Sequence, residues 1–169
     1  MRRASFGNWP CSIARVADLL GDAWTTLLLR EAFYGFRRFD EFRQELGIAR
    51  NTLTDRLRLL VDEGLLVKQR YQVEPERYEY VLTDKGRDFF PVLAAMATWG
   101  DRWLADDGGP PITLHHHACG RDSQAEVVCA ECSRPLRAAD SEMRMGPGFP
   151  PRLAERPDVR RRFGTDGPD

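Results

Sequence analysis

FDEFRQELGIARNTLTDRLRLLVDEG, residues 39–64, decides the fold. Phe39, Phe42 and Leu46 recur at i, i+3 and i+7, which puts them on one buried helix face. Gly47 stops that helix, since glycine enters the left-handed conformation of a helix C-terminus without steric cost. After Ile48-Ala49 a second helical pattern runs from about Arg50 to Glu63. Leu53, Leu57, Leu60 and Val61 make its apolar side, and Gly64 ends it. Two short helices joined by a tight glycine-containing turn are a helix-turn-helix.

The flanks complete the pattern. Leu65–Tyr71 and Arg77–Leu82 are strand-like runs, with Gln72–Glu76 and its Pro75 as the turn between them. Strand, polar turn and strand after a helix-turn-helix make a β-hairpin wing. Thr83-Asp84 then caps a long helix from about Lys85 to Leu104, and Pro91 inside it predicts a kink or break. Toward the N-terminus, Asp22 caps a helix over Ala23–Phe33. Its Trp24, Leu27, Leu28, Ala32 and Phe33 form a broad core stripe. Before it, Ile13, Val16, Ala17 and Leu20 mark a helix over Ser12–Leu20, with Ser12 as its N-cap. The expected class is mainly α with a β-hairpin wing. Residues 1–105, opening on a short arm over 1–10, form the winged helix-turn-helix and dimerisation domain. A linker follows over 106–111, then a small Cys/His zinc ribbon over 112–140, and a disordered tail over 141–169.

Composition narrows the partners. The 169 residues carry 25 basic and 26 acidic side chains, a net charge of −1, so attraction to nucleic acid must come from a local patch. No apolar run reaches the roughly 18 residues that span a bilayer, and the N-terminus lacks the apolar stretch of a secretory signal. The expectation is a cytoplasmic protein with no membrane partner. There the four cysteines, Cys11, Cys119, Cys129 and Cys132, stay reduced and serve as metal ligands or reactive thiols. No Ser-His-Asp cue, phosphate-cradling glycine loop or paired carboxylates on one helix face point to an enzyme.

Projection of the fourth helix at 100° per residue sets Asn51, Asp55 and Arg58 opposite the leucines, with Thr52 nearby. Thr54 and Arg56 flank them and Arg50 opens the helix. Such a face suits the major groove: Arg pairs with guanine, Asn with adenine, and Thr meets phosphate or a thymine methyl. Asp55 either accepts from cytosine or pairs with a neighbouring arginine. Arg37 and Arg38 suit backbone phosphates. Arg70 and Arg77 stand at the wing, tempered by Glu74 and Glu76. Phe89, Phe90, Leu93, Met96, Trp99 and Trp103 exceed what a small winged domain buries alone, so the last helix is expected in a homodimer interface. The Cys/His segment folding over that stripe within one chain is the other way to cover it.

His115-His-His-Ala-Cys119 and Cys129-Ala-Glu-Cys132 supply metal donors. His116, three residues before Cys119, joins Cys119, Cys129 and Cys132 in a Cys₃His set typical of closed structural zinc sites. His115 and His117 are the alternative histidines, and a redox dithiol or free surface thiols are the other uses of these cysteines. Ser133 stands where zinc knuckles often have glycine.

Taken in order, Cys11-Ser-Ile-Ala-Arg15, Gly21-Asp-Ala-Trp-Thr-Thr-Leu-Leu-Leu-Arg30, Arg38-Phe-Asp-Glu-Phe42, Leu53-Thr-Asp-Arg-Leu-Arg-Leu-Leu-Val-Asp-Glu-Gly-Leu-Leu66 and Tyr78-Glu-Tyr-Val-Leu-Thr-Asp-Lys-Gly86 resemble HxlR-type regulators of the MarR-like superfamily. The similarity runs from Trp9 to Leu104. It implies a winged-helix fold, homodimerisation, operator binding on double-stranded DNA and regulation by small reactive or metabolic signals. This chain has Ala49 where members often carry a serine cap on the recognition helix; Asn51 could cap instead and shorten the helix. Many members also carry a cysteine at the position of Cys11, and some sense oxidants or electrophiles with it. Thiols beside a helix N-terminus are generally the reactive ones, while a small buried packing residue is the plainer role. The function expected from sequence is a homodimeric transcription regulator on a pseudo-palindromic operator. The alternative is a winged-helix and zinc-ribbon interaction adaptor without specific DNA binding.

Overall fold

A computed structural model describes residues 6–164. Residues 1–5 of the expected arm and 165–169 of the expected tail lie outside the described residues. The described residues divide into two units, Leu20–Glu126 and a second that joins the residues up to Leu19 with those from Val127 onward.

The first unit is built on α2 (Ala23–Phe33), α3 (Phe39–Leu46) and α4 (Arg50–Asp62), with β1 (Leu66–Gln72) and β2 (Arg77–Leu82) after them. Leu28 and Leu29 of α2, Phe42 of α3, and Leu53, Leu57 and Leu60 of α4 are all fully buried, joined by Leu65 and Leu66 at the start of the wing. The leucine spacing of α4 thus makes the core, as its period requires. Gly47 sits in the left-handed region at φ 60° and closes α3. Asp22 caps α2 by accepting from the Thr25 amide at 3.1 Å. Ala49 caps α4 without a side-chain bond, and the helix begins at Arg50, so Asn51 does not take over the cap. A serine at 49 would satisfy a first-turn amide, a contribution of about 1 kcal/mol that this helix does without.

β1 and β2 pair antiparallel, with the register shifting at Tyr71 between Arg70 and Gln72. A third, very short strand, which the sequence pattern does not announce, joins them: Arg38 bridges Glu79, and the Tyr80 amide donates to Arg37 O at 2.7 Å. The expected long helix is divided into α5 (Asp84–Arg87) and α6 (Phe90–Trp103), with Pro91 in the first turn of α6, where its missing N–H leaves no bond unmade.

The turn into α5 fastens α4 to the wing. The Thr83 hydroxyl donates to Gly64 O at 2.6 Å and accepts from the Gly86 amide at 3.0 Å. The Thr83 amide donates to Leu65 O at 3.0 Å, and Lys85 Nζ donates to Glu63 O at 2.5 Å. These bonds satisfy carbonyls at and just beyond the α4 C-terminus, and the lysine places positive charge at the negative end of its dipole.

The expected boundary at 106–111 is not where the structure divides. A small hairpin of β3 (Leu114–His116) and β4 (Arg121–Ser123) belongs to the winged unit. Near the end of that unit the Ala125 amide donates to Thr98 Oγ1 of α6 at 3.0 Å. The second unit holds most of α1 (Ser12–Leu20), the Cys129/Cys132 turn, α7 (Pro151–Ala154) and α8 (Pro157–Arg162). The Arg15 amide donates to Cys11 O, so Cys11 rather than Ser12 holds the cap position of α1. The tail expected to be disordered carries two short helices. Phe149 meets Phe163 edge-on at 5.6 Å, and Arg156 pairs with Asp158 at 3.1 Å, which gives this Pro- and Arg-rich stretch local contacts of its own.

Candidate nucleic-acid interface and cysteine turns

Arg50, Asn51, Thr54, Asp55, Arg58 and Asp62 are exposed on α4, and Asn51, Thr54, Asp55 and Arg58 among them form the i, i+3, i+4, i+7 set of one helix face, opposite the buried leucines. Thr54 Oγ1 donates back to Arg50 O at 2.9 Å, which fixes its rotamer. Thr52 is half-buried. Arg50 lies over the Phe39 ring at 5.2 Å, a cation–π contact that ties the start of α4 to α3. Arg56 does not join the exposed face. Its Nε lies 2.5 Å from Asp22 Oδ2 at the N-cap of α2, and the two side chains are 29% and 27% exposed. Arg56, expected beside the reading face, is thus placed against Asp22 inside the winged unit.

The start of α3 and the wing enclose an open groove of mixed charge, in which Asp40 and Glu41 stand with Arg38 and Arg77, and Tyr71 and Tyr78 complete the wing side. Arg38 stacks on Tyr71 at 4.8 Å, which holds its guanidinium at the rim. Glu41 Oε2 accepts from the amides of Arg37 and Arg38 at 2.9 and 2.8 Å. Those bonds, first the one from Arg37, keep its carboxyl below the ordinary glutamate value. A carboxylate thus occupies the N-terminus of α3, and cationic contact at this end comes from the Arg38 side chain. At the wing, Arg70 pairs with Glu76 at 3.3 Å, so part of its charge is answered internally, while Arg77 is exposed. Hydrogen bonding to the same Glu76 holds the Tyr78 phenol above its ordinary value.

Along α6, Trp99 and Trp103 are 60% and 66% exposed, and Met96, Val92 and Phe90 are exposed beside them. Phe89 and Leu93 are half-buried. A row of large apolar side chains on one long helix is more than an isolated small domain leaves to water.

The two cysteine turns share one backbone pattern. In the winged unit the Gly120 amide donates to His116 O at 2.9 Å, with Gly120 at φ 66°, and Cys119 Sγ lies 3.4 Å from His116 Nδ1. In the second unit the Ser133 amide donates to Cys129 O at 2.8 Å, with Ser133 at φ 56°. Hydrogen bonds with Arg134, and then with the Cys129 side chain, hold the Cys132 thiol below its ordinary value. In each turn the residue after the second donor adopts the left-handed conformation and closes back on the carbonyl of the first. His115 goes elsewhere, to Asp122 Oδ1 at 2.8 Å, and its ring meets that of His117 at 5.3 Å. Among the described residues no three His, Cys, Asp or Glu side chains are gathered as a metal site, and no helix is long and apolar enough to cross a membrane.

With this geometry in hand, comparison with known proteins is decisive for the family. The model of HxlR-like helix-turn-helix proteins matches residues 19–107, the span of the winged fold and α6. The chain belongs to the HxlR-like family. An HTH-type transcriptional regulator of Mycobacterium tuberculosis, Rv3095, is 44% identical over 143 residues, covering 85% of this chain and 90% of the relative. The crystal structure of PA1607, a proposed transcription factor, is similar with a TM-score of 0.74 and 35% identity, covering 83% of this chain and 98% of that one. The redox regulator HypR in its reduced form has a TM-score of 0.51 at 31% identity, over 54% of this chain and 92% of its own. This HxlR-like chain therefore shares its winged part with HTH-type regulators, and the similarity to Rv3095 and PA1607 extends well past it.

Proposed function

We propose that this HxlR-like protein is a non-enzymatic transcription regulator that binds duplex DNA as a homodimer on a pseudo-palindromic operator. The observation that carries it is the polar face of α4: Asn51, Thr54, Asp55 and Arg58 stand exposed on a helix whose other side is locked in the core. That face enters the major groove, with Arg58 and Asn51 reading base edges, while Arg38 and Arg77, together in one groove, hold phosphates. The test is a binding titration on the intergenic DNA upstream of the protein's own gene. Arg58→Ala is expected to cost about 1–3 kcal/mol and to relax preference at one base pair. Retention of both affinity and preference in Arg58→Ala would misplace the reading face. No binding by the parent would favour the adaptor role.

We propose further that His116, Cys119, Cys129 and Cys132 take one structural zinc ion. This rests on the donor set and on the matched backbone of the two turns, each shaped like half of a zinc knuckle. His116 rather than His115 is assigned because His116 already faces Cys119 while His115 pairs with Asp122. Elemental analysis of protein purified without added metal is expected to give one zinc per chain. The Cys129→Ser/Cys132→Ser variant should lose it while its winged unit keeps the parental melting transition. Unchanged metal content in that variant would end the idea.

Cys11 is the proposed entry point of an oxidant or electrophile. Its thiol is exposed at the cap of α1, and the similar HypR is named a redox regulator. Modification there would displace α1 and change the spacing of the two recognition helices. Diamide or a quinone is expected to lower operator binding of the parent and spare Cys11→Ser, with zinc release followed in parallel. Equal loss in both, or none in either, would mean that the signal enters elsewhere than at Cys11.

A further inference from the structure

Asp22 uses its two carboxylate oxygens for two different jobs. Oδ1 accepts from the Thr25 amide at 3.1 Å and lies 3.3 Å from Thr25 Oγ1, and Thr25 is fully buried. The cap therefore fixes the carboxylate before any partner arrives. Oδ2 then lies 2.5 Å from Arg56 Nε, which is shut off from solvent and makes no aligned hydrogen bond, so the contact is one of charge alone. An exposed ion pair is worth little, because two mobile side chains must be ordered and water screens them. Here one partner is already immobilised by the cap and both are largely shielded, which removes much of that cost. The contact joins the middle of α4 to the N-terminus of α2, a link separate from the apolar contacts of Leu53, Leu57 and Leu60.

We propose that Arg56 and Asp22 form a positioning pair that sets the rotation of the recognition helix, Arg56 acting through Asp22 and not through a base or phosphate. The proposal rests on α4 being the DNA-reading helix. A reading face must be held within about 0.5 Å and 10–20° of its working geometry. The buried leucines fix the depth of α4, and a charge pair anchored on a fixed cap adds a restraint on its rotation from outside that core. Specific binding needs that register. Non-specific binding, which comes from phosphate charge, does not.

Asp22→Asn keeps a good N-cap while removing the charge, so the pair is separated from the cap. The experiment compares Asp22→Asn, Arg56→Gln, Arg56→Lys and the Asp22→Asn/Arg56→Gln double variant. For each, operator affinity, affinity for unrelated duplex, salt slope, and hydrogen exchange of the α4 amides without DNA are measured. The expected result is a loss of about tenfold in operator affinity for each neutral single variant, with the double no worse than either, as coupled neighbours behave. Affinity for unrelated duplex and the ranking of operator base changes should stay at the parental values. Arg56→Lys should recover much of the loss, and α4 exchange should quicken in both neutral variants. A salt slope lowered by about one in Arg56→Gln, with Asp22→Asn silent, would make Arg56 a phosphate contact and overturn the proposal. A changed preference at one base pair in Arg56→Gln alone would make it a base reader and overturn it equally. Lower thermal stability with operator affinity unchanged would reduce the pair to a fold-stabilising one. If the parent binds no DNA specifically, the functional reading itself has failed, whereas parental α4 exchange in both neutral variants sinks the pair alone.

Discussion

Gly86→Ala is expected to be the most damaging single-methyl substitution in the winged unit. A Cβ at this position would lie 2.1 Å from Leu65 O and 3.0 Å from Leu82 Cδ2. The first of these is backbone, which cannot step aside as a flexible side chain would. Leu65 O is also the acceptor of the Thr83 amide, so relief of the clash pulls apart the turn that ties the end of α4 to the wing. A loss of about 3 kcal/mol, at the upper end for overpacking, corresponds to a fall of more than about 10 °C in melting temperature for a domain of this size. Denaturant or thermal unfolding checks it. Gly100→Ala in α6 is the control: a Cβ there meets nothing within 4 Å, and the helix gains propensity. Parental stability in Gly86→Ala would show that α5 can shift away from the strand at little cost.

The second large effect is expected at the opposite chemical extreme, on the surface of α6. If Trp99 and Trp103 are the centre of the proposed dimer, replacing both with glutamate puts two desolvated charges on each protomer into an apolar contact, doubled by the symmetry of a self-complementary interface. Light scattering at micromolar concentration should then fall from twice the 19.3 kDa chain mass to that of one chain. Operator affinity should collapse with it, since two half-sites are no longer read together. A parent that is monomeric and still binds a palindromic operator would remove the reason for the stripe, as would a dimer indifferent to both glutamates.

Those residues were readable in the sequence because a helical period and a surplus of aromatics need no knowledge of neighbours. The same holds for α3 and α4, whose leucine and phenylalanine spacing predicts the buried face, and for the break that Pro91 imposes before α6, whereas on α2 the expected stripe is fully buried only at Leu28, and Thr25, Leu29 and Glu31 are buried in its place. Arg56 was not readable. Its neighbour Asp22 is remote in the chain, and a wheel projection of α4 alone shows a polar side chain flanking a polar face. Nothing local says that another helix end will capture it. The bridge of Arg38 to Glu79 escaped for a related reason: a strand of one or two residues has no period to detect. The tail misled through composition. Proline and arginine argue against a packed core, yet prolines suit the first turns of short helices, where α7 and α8 place them. Spacing points to His116 among the three histidines, but it says nothing of the pairing of His115 with Asp122 across the β3–β4 register, which depends on the fold.

The clamp at Thr83 and Lys85 has a kinetic side. Thr83 reaches Gly64 across 19 residues and Lys85 reaches Glu63 across 22, so the loops these bonds close are short. Closing such loops costs little chain entropy, and assemblies of near-neighbour contacts are the ones chains find quickly. The recognition helix and wing can therefore condense as one early unit on a single nascent chain. In the proposed homodimer the apolar row on α6 would wait for a second molecule, at a rate set by concentration. During that interval each new protomer carries a finished reading surface beside an uncovered hydrophobic one, and the charged face of α4 lies on the part that is already built.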